Sequence, residues 1–149
     1  MVNAVGKDIS EVDRAYLAGF LDADGAIMAT IEKHAEKKFG YRVRIQLKVT
    51  QKDKTTLEEL RALCGIGRLR KNRTTYDWLI RDKSEALFLL DLISPYLRVK
   101  RSQAEIANTI LCTVIDSRED LIKIARAADS LSRFNVRSKN RRKNFASMI

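Results

Sequence analysis

The sequence predicts an α+β domain in which helices pack on one face of a four-stranded antiparallel sheet. Segments with helical spacing of apolar residues alternate with segments of strict two-residue alternation, in the order α-β-β-α-β-β-α-α-α. The chain has 149 residues with one proline and six glycines. That length suits one hydrophobic core, so residues 1–149 are predicted to form a single domain.

The first helix and the two strands after it give the clearest pattern. Ser10 begins a capping box with Asp13 and predicts a helix that ends at Gly25, where a left-handed residue is expected. A strand over 26–33 follows, with loose alternation. The segment 41–50 alternates without interruption and predicts a second strand, joined to the first by a long exposed hairpin loop.

The rest of the chain repeats this pattern and then continues in helices. A helix over 55–64 ends at Gly65, and strands over 68–72 and 75–80 are joined by a turn near 72–74. A leucine-rich helix over 85–93 is broken at Ser94-Pro95. Two further helices are predicted over 102–115 and 119–134, and residues 136–149 form a basic C-terminal tail.

The charge of the chain favours a polyanionic partner. The formal net charge is +10: residues 1–41 carry five Lys and Arg against seven Asp and Glu, and residues 42–149 carry 24 against 12. Nucleic acid is favoured over a membrane surface because no basic helix has a wide aromatic face. No apolar run approaches the roughly 20 residues that span a bilayer, and no signal peptide begins the chain. We therefore expect an intracellular protein with reduced core thiols at Cys64 and Cys112 and no small-molecule substrate.

The first helix has an unusual composition. Small residues recur at spacings of three and four, which lets a second backbone approach closely, and Gly19 costs about 1 kcal/mol of helix propensity relative to Ala. The helix ends in Asp22 and Asp24, whose carboxylates face the negative pole of the helix dipole. A divalent cation bound at this end would explain the acids; a solvated acidic helix end is the alternative.

Residues 17–25, Leu-Ala-Gly-Phe-Leu-Asp-Ala-Asp-Gly, resemble the motif of the LAGLIDADG homing endonucleases at seven of nine positions. The resemblance extends to the order of elements, to the strand end at 49–52, to residues 95–100 and to residues 138–143, and so covers nearly the whole chain. It implies the αββαββα endonuclease fold with extra C-terminal helices. It also implies site-specific cleavage of double-stranded DNA, with Mg²⁺ as the divalent metal, by an intron- or intein-encoded enzyme.

The family resemblance assigns roles to a small set of residues. A single motif copy implies a homodimer that pairs through the first helix, and the predicted interface residues are Leu17, Ala18, Gly19, Leu21 and Asp22. Asp24 and the Ala23 backbone carbonyl are the implied metal ligands. Gln51 and Lys100 are the implied supporting catalytic residues. Relatives often carry a basic residue four positions after the glutamine; Thr55 stands there, next to Lys54, and which of the two serves is left open.

One face of the predicted sheet is rich in arginine and has polar side chains suited to base edges in the major groove. A plain solvated face is the alternative. The residues predicted to contact DNA from this sheet are Met28, Thr30, Glu32, Arg42, Arg44, Gln46, Lys48, Arg68, Arg70, Asn72, Thr75 and Asp77.

The basic C-terminal tail adds predicted contacts to phosphates through Lys139, Arg141 and Arg142. Another class of protein with the same fold stays open at this point: a nucleic-acid-binding protein that does not cleave, such as an intron maturase or a regulator.

Overall fold

The computed structural model describes residues 8–135 and 143–149, in the predicted order of elements. The first αββ unit consists of α1 (Glu11–Asp24), β1 (Gly25–Lys33) and β2 (Tyr41–Gln51). The second consists of α2 (Lys54–Cys64), β3 (Arg68–Asn72) and β4 (Thr75–Ile80). Then follow α3 (Lys83–Ile93), a 3-10 turn at Ser94–Tyr96, α4 (Arg101–Cys112), α5 (Arg118–Asn135) and a 3-10 turn at Phe145–Met148.

Local sequence signals set the ends of these helices. The Ser10 side chain accepts a hydrogen bond from the Asp13 backbone N–H at 3.1 Å, as the capping box predicts. Gly65 ends α2 in the left-handed conformation, with φ 69°. The predicted helix over 102–115 ends earlier, at Cys112, where Thr113 is already extended.

α1 ends at Gly25 as predicted, but Gly25 does not adopt the left-handed conformation that was expected there. Its φ is −91° and its ψ is 166°, so it is extended and is already the first residue of β1. Glycine is needed there for space, because a Cβ would lie 2.6 Å from Leu21 Cδ1 and 2.7 Å from the Leu21 carbonyl oxygen. The helix therefore passes directly into the strand, without a loop.

The four strands form one antiparallel sheet in the order β1-β2-β4-β3. β1 pairs with β2 over its whole length, from Gly25 with Val49 to Lys33 with Tyr41. One face of the sheet is covered by the helices, and the core lies between them, built around fully buried residues such as Leu47, Trp78 and Leu89. The predicted fold, a four-stranded antiparallel sheet with helices on one face, is confirmed. Within the described ranges no helix is long and apolar enough to cross a membrane.

The C-terminal segment folds back onto the domain. The Asp129 carboxylate, which is buried on α5, accepts hydrogen bonds from the backbone N–H groups of Phe145 and Ala146. The Tyr41 hydroxyl donates to the Met148 carbonyl at 2.8 Å. Residues 143–149 are thus tied to α5 and to the start of β2.

Candidate functional site

The C-terminal end of α1 gathers the residues that the sequence assigned to chemistry. Asp24 is the last residue of α1 and is exposed. Gly25 pairs with Val49, two residues before the end of β2, and this register brings Gln51 next to the helix end. The Gln51 Nε2 atom donates a hydrogen bond to Asp24 Oδ2 at 2.7 Å. Two residues 27 positions apart therefore form one polar pair.

Asp22 fixes the loop that precedes α4. Its carboxylate accepts hydrogen bonds from the backbone N–H groups of Arg98, Val99 and Lys100, at 2.8, 3.2 and 2.9 Å. Partial burial raises the pKa of Asp22, but these three hydrogen bonds and the Lys100 charge outweigh it, and the pKa lies below its ordinary value. Asp22 is thus a structural anchor inside the protomer. Both carboxylate oxygens are engaged within the chain, and a place for Asp22 in the dimer interface stays a prediction.

Lys100 lies against the same helix end. Its Nζ donates to the Asp22 backbone carbonyl at 2.7 Å, one of the carbonyls that a helix leaves without an internal partner. An ammonium group has three donors, so Lys100 has two donors left after this contact. The structure therefore brings Asp24, Gln51 and Lys100 to one end of α1, while their catalytic roles stay predictions.

The donors at this end fit a hard divalent cation. Asp24 offers a carboxylate whose Oδ1 has no protein hydrogen bond within the described residues, and the Ala23 carbonyl lies beside it in sequence. Carboxylate and carbonyl oxygens are the ligands that Mg²⁺ and Ca²⁺ prefer. No group of three or more His, Cys, Asp or Glu side chains gathers in the ranges 8–135 and 143–149. One chain alone thus supplies only part of a coordination shell at this position.

The exposed side of α1 differs from the predicted interface. Leu17, Ala18 and Leu21 are fully buried in the core of their own protomer, so they are not available to a partner and their prediction as interface residues is wrong. Helix phase explains the error, because these motif residues face the sheet. The predicted interface residue Gly19 is exposed, and a Cβ added to it would meet nothing within 4 Å.

An apolar stripe surrounds Gly19 on that exposed side. Val12 is 78% exposed and Tyr16 is 49% exposed, with Ala15 and Ala23 also at the surface. The Tyr16 ring packs edge-on against Phe20, with centroids 5.3 Å apart. Sequence reasoning missed Val12 and Tyr16 because they lie before the motif, although their spacing of four residues was a usable signal. An exposed apolar stripe with a central glycine suits close packing against a second helix.

The face of the sheet opposite the helices carries the predicted DNA-contacting residues. The strand register pairs Arg44 with Thr30 and Gln46 with Met28, which places each pair on the same face. Lys48 pairs with Leu79, and Leu79 pairs with Arg68, so the same face continues across the whole sheet. The remaining predicted members lie there by the same register: Glu32, Arg42, Arg70, Asn72, Thr75 and Asp77.

Asp77 lies on this face but is fully buried, so its prediction as a direct DNA contact is wrong. Its Oδ1 accepts from the Thr50 hydroxyl at 2.6 Å. Its Oδ2 accepts from Arg70 Nη2 at 3.0 Å and from Asn72 Nδ2 at 3.3 Å. Burial raises the pKa of Asp77, but the hydrogen bonds from Thr50 and Arg70 and the nearby positive charges lower it below its ordinary value. Asp77 thus orients two neighbours that remain at the surface.

The remaining predictions have different outcomes. The Lys54 Nζ atom lies 3.7 Å from Glu58 Oε1 and 6.0 Å from the centroid of the Tyr76 ring. The Thr55 backbone N–H donates to the Asp53 carboxylate at the start of α2. Lys139, Arg141 and Arg142 lie outside the described residues.

Comparison with known proteins adds an independent observation to this geometry. The family model described as LAGLIDADG endonuclease matches residues 17–109, which include the whole site at the end of α1. The chain belongs to the LAGLIDADG endonuclease family.

Two curated relatives in this family are similar to most of the chain. DNA endonuclease I-CreI of Chlamydomonas reinhardtii is 28% identical over 125 residues, 80% of this chain and 77% of that protein. DNA endonuclease I-CvuI of Chlorella vulgaris is 32% identical over 124 residues, 78% of this chain and 76% of that protein. A protein in ND4 intron 1 of Podospora anserina is 31% identical over 93 residues, 59% of this chain and 21% of that protein.

Solved structures of LAGLIDADG endonucleases superpose on the fold. I-CvuI in complex with the I-CreI target, in the presence of 2 mM Mg and with the DNA not cleaved, has a TM-score of 0.81 and 28% identity, covering 91% of this chain and 88% of that one. The same enzyme with its own target and 2 mM Ca has a TM-score of 0.80. The archaeal intron-encoded I-Vdi141I with DNA has a TM-score of 0.81 at 20% identity, which supports the fold alone.

Proposed function

We propose that this chain is a homodimeric, site-specific homing endonuclease that cleaves both strands of a long, nearly palindromic DNA site. The observation that carries the proposal is the grouping of Asp24, Gln51 and Lys100 at the end of a helix whose outer side is exposed and apolar. The LAGLIDADG endonuclease match over residues 17–109 supports the reaction class. The I-CreI and I-CvuI relatives support the choice of double-stranded DNA as substrate.

The dimer follows from what one chain lacks. A single protomer supplies one free carboxylate at the helix end, and cleavage of two strands needs two such ends over one duplex. Two copies of α1 packed through Val12, Ala15, Tyr16 and Gly19 would place the two Asp24 side chains around a common axis. The arginine-rich face of each sheet would then read one half of the site in the major groove.

Each residue of the site has a distinct part in hydrolysis. Asp24 and the Ala23 carbonyl would hold a divalent cation, with Mg²⁺ proposed as the physiological ion. When bound, that ion lowers the pKa of a coordinated water and offsets negative charge on the scissile phosphate. The Gln51 amide donates to Asp24 Oδ2 and leaves Oδ1 free for coordination. Lys100 keeps two ammonium donors that can contact the phosphate as its negative charge grows.

The relatives and the thiols of the chain bear on its genetic origin and its cellular compartment. We propose that the chain is intron-encoded, as the relative in ND4 intron 1 suggests, and that it works in a reducing intracellular compartment. Cys64 and Cys112 are both free thiols, and Cys64 is buried. Burial raises the pKa of Cys64 to about 11, so this thiol stays protonated and inert.

The proposal is tested on a pool of randomised DNA duplexes with Mg²⁺, comparing the unaltered protein with Asp24→Asn. We expect the unaltered protein to cut a discrete set of sites, and Asp24→Asn to bind the same sites while cutting at least about 100-fold more slowly. Asp91→Asn, which neutralises an exposed carboxylate on α3, is the matched control and should cut normally. Cutting by Asp24→Asn at the normal rate would reject the ligand assignment. Specific binding by the unaltered protein without any cutting would favour a maturase or regulator instead.

A further inference from the structure

A groove of about 900 Å³ opens beside the N-terminal half of β2, away from the end of α1. We call it the edge groove. It is bounded by β2, by the connection from β4 to α3 and by the connection from α4 to α5. Neither the catalytic residues nor the exposed side of α1 lines it.

One wall of the edge groove is an unpaired strand edge. β2 runs over Tyr41–Gln51, but β4 pairs with it only from Leu47 to Gln51, because β4 ends at Ile80. Within the described parts of the chain, residues 41–46 therefore have β1 on one side and no strand on the other. At about 3.3 Å per residue this free edge is roughly 20 Å long. Its backbone groups can pair with an added strand.

The floor of the edge groove is apolar. It consists of aliphatic side chains from both layers of the domain: Val43, Ile45, Leu79, Ile110, Val114 and Leu121. Val114 is 70% exposed and Val43 is half-buried, whereas Ile45, Leu79, Ile110 and Leu121 are buried beneath them, so Val43 and Val114 form the accessible part of this floor. Apolar pockets beside a free strand edge are the features with which a protein binds an extended peptide, through backbone pairing and alternate side chains.

The rim of the edge groove is strongly positive. Seven basic side chains line it against two acidic ones, and both acids are already engaged. Asp82 caps α3 by accepting from the Glu85 backbone N–H, and Glu85 accepts from the Gly67 backbone N–H at 3.0 Å. Four of the basic residues belong to no predicted DNA contact: Lys37, Lys38, Arg81 and Lys83.

We propose that the edge groove binds an extended acidic peptide segment of a partner protein, which adds a strand to β2 next to residues 41–46. Alternate apolar side chains of that segment would pack against Val43 and Val114 on the floor, and its acidic side chains would meet the basic rim. DNA fits these observations less well, since a duplex contacts the rim arginines without filling an aliphatic floor or pairing with a backbone edge. The remaining rim residues Arg42, Arg44 and Arg68 belong to the predicted DNA face, so peptide and DNA should compete.

The test uses the full chain and a synthetic peptide of about six residues that alternates glutamate with valine. Fluorescence anisotropy measures binding, and amide hydrogen exchange shows where the peptide sits. We expect saturable binding and slower exchange of the amides within residues 41–46. A peptide with lysine in place of glutamate should bind at least about tenfold more weakly, because like charges face each other across the rim.

Two variants separate the groove from general electrostatics. Arg81→Glu combined with Lys83→Glu reverses two exposed rim charges outside the predicted DNA face, and we expect at least about tenfold weaker peptide binding. Arg126→Glu combined with Lys123→Glu reverses two exposed charges on α5 and should leave binding unchanged.

Three results would overturn the proposal. One is equal peptide binding by both double variants, and another is an absence of protection at residues 41–46. The third is that Arg81→Glu combined with Lys83→Glu weakens binding of a short DNA duplex as much as it weakens peptide binding, which would assign the rim to DNA. Because all readouts are made without cleavage, these outcomes are independent of the endonuclease assignment.

Discussion

At the scale of single residues, one hydrogen bond between an amide and a carboxylate orients Asp24 at the end of α1. Gln51 has a neutral side chain, so it restrains Asp24 without competing with a cation for charge. A glutamate in its place would put a second negative charge beside Asp24 and change the electrostatics of the site. Glutamine at this position therefore fits a role in orienting the carboxylate.

This role makes a prediction for Gln51→Ala. The cleavage rate should fall about 10- to 100-fold, the usual range when a residue that orients a metal ligand is removed. DNA affinity measured without metal should change less than about twofold. Gln46→Ala, which removes the same side chain from the DNA face of the same strand, is the control. It should relax base preference and keep the rate; an equal loss of rate in both variants would contradict the assignment.

Asp77 makes a second prediction at this scale, through pH. Its pKa is lowered in the folded protein, so its stabilising effect is present above its unfolded pKa and is lost as pH falls through the folded value. Asp77→Asn should therefore lower the free energy of unfolding by about 1–3 kcal/mol near neutral pH, since Arg70 loses a charged partner. The difference should shrink below about pH 4. Urea denaturation between about pH 3 and pH 8 measures it, and a difference that does not change with pH would contradict this account.

At the scale of elements, Gly19 lowers the stability of α1 but flattens its outer surface. Gly19 weakens the helix of the isolated protomer, but it leaves the surface flat where Val12 and Tyr16 are exposed. A contact within the protomer does not explain the glycine, because its Cβ position is open. Close approach of a second helix does explain it.

Gly19→Leu should therefore have effects of opposite sign. The isolated protomer should gain up to about 1 kcal/mol of stability from helix propensity, while self-association should weaken at least about tenfold because the leucine separates the two helices. Sedimentation equilibrium measures association, and urea denaturation at low protein concentration measures stability. Ala62→Leu places the same side chain on the exposed side of α2 and should leave association unchanged. Equal association of both variants would place the dimer contact elsewhere.

Element by element, the fold was predictable where the pattern is local. The capping box at Ser10 and the alternation over 41–50 gave α1 and β2 nearly to the residue. The exposed side of α1 was not predictable from the motif, because sequence alone left open which side of α1 packs on the sheet. Leu17 and Leu21 face inward, whereas Gly19 lies between them on the other side.

The contacts made by Asp22 and Asp77 were equally hidden. Asp22 meets residues 76 to 78 positions away, and Asp77 meets Thr50 from a neighbouring strand. Such partners depend on how α4 and the strands come together in three dimensions, and no local spacing encodes them. Strand alternation placed Asp77 on the exposed face of the sheet, whereas its neighbours bury it, and it orients Arg70 and Asn72.

At the scale of the whole molecule, the net charge of +10 favours association with DNA through its phosphates. Phosphate neutralisation releases counterions, so affinity should fall steeply with salt. Arg141→Ala combined with Arg142→Ala should lower the slope of log affinity against log salt by up to about 1.8, at about 0.9 for each phosphate that is no longer neutralised. Glu58→Ala combined with Glu59→Ala, on exposed positions of α2, is the control and should not lower the slope. An unchanged slope in the arginine variant would show that Arg141 and Arg142 do not neutralise DNA phosphates.

The direct passage from α1 into β1 at Gly25 leaves no loop between the proposed catalytic site and the predicted DNA-contacting face. A single amino acid inserted after Asp24 would turn Met28, Thr30 and Glu32 inward and drive their hydrophobic neighbours out, since strand faces alternate with every residue. Homologues can therefore change their base preference by substitution along the strands. They cannot use an insertion or deletion at this joint to change the distance between the end of α1 and the base-contacting residues.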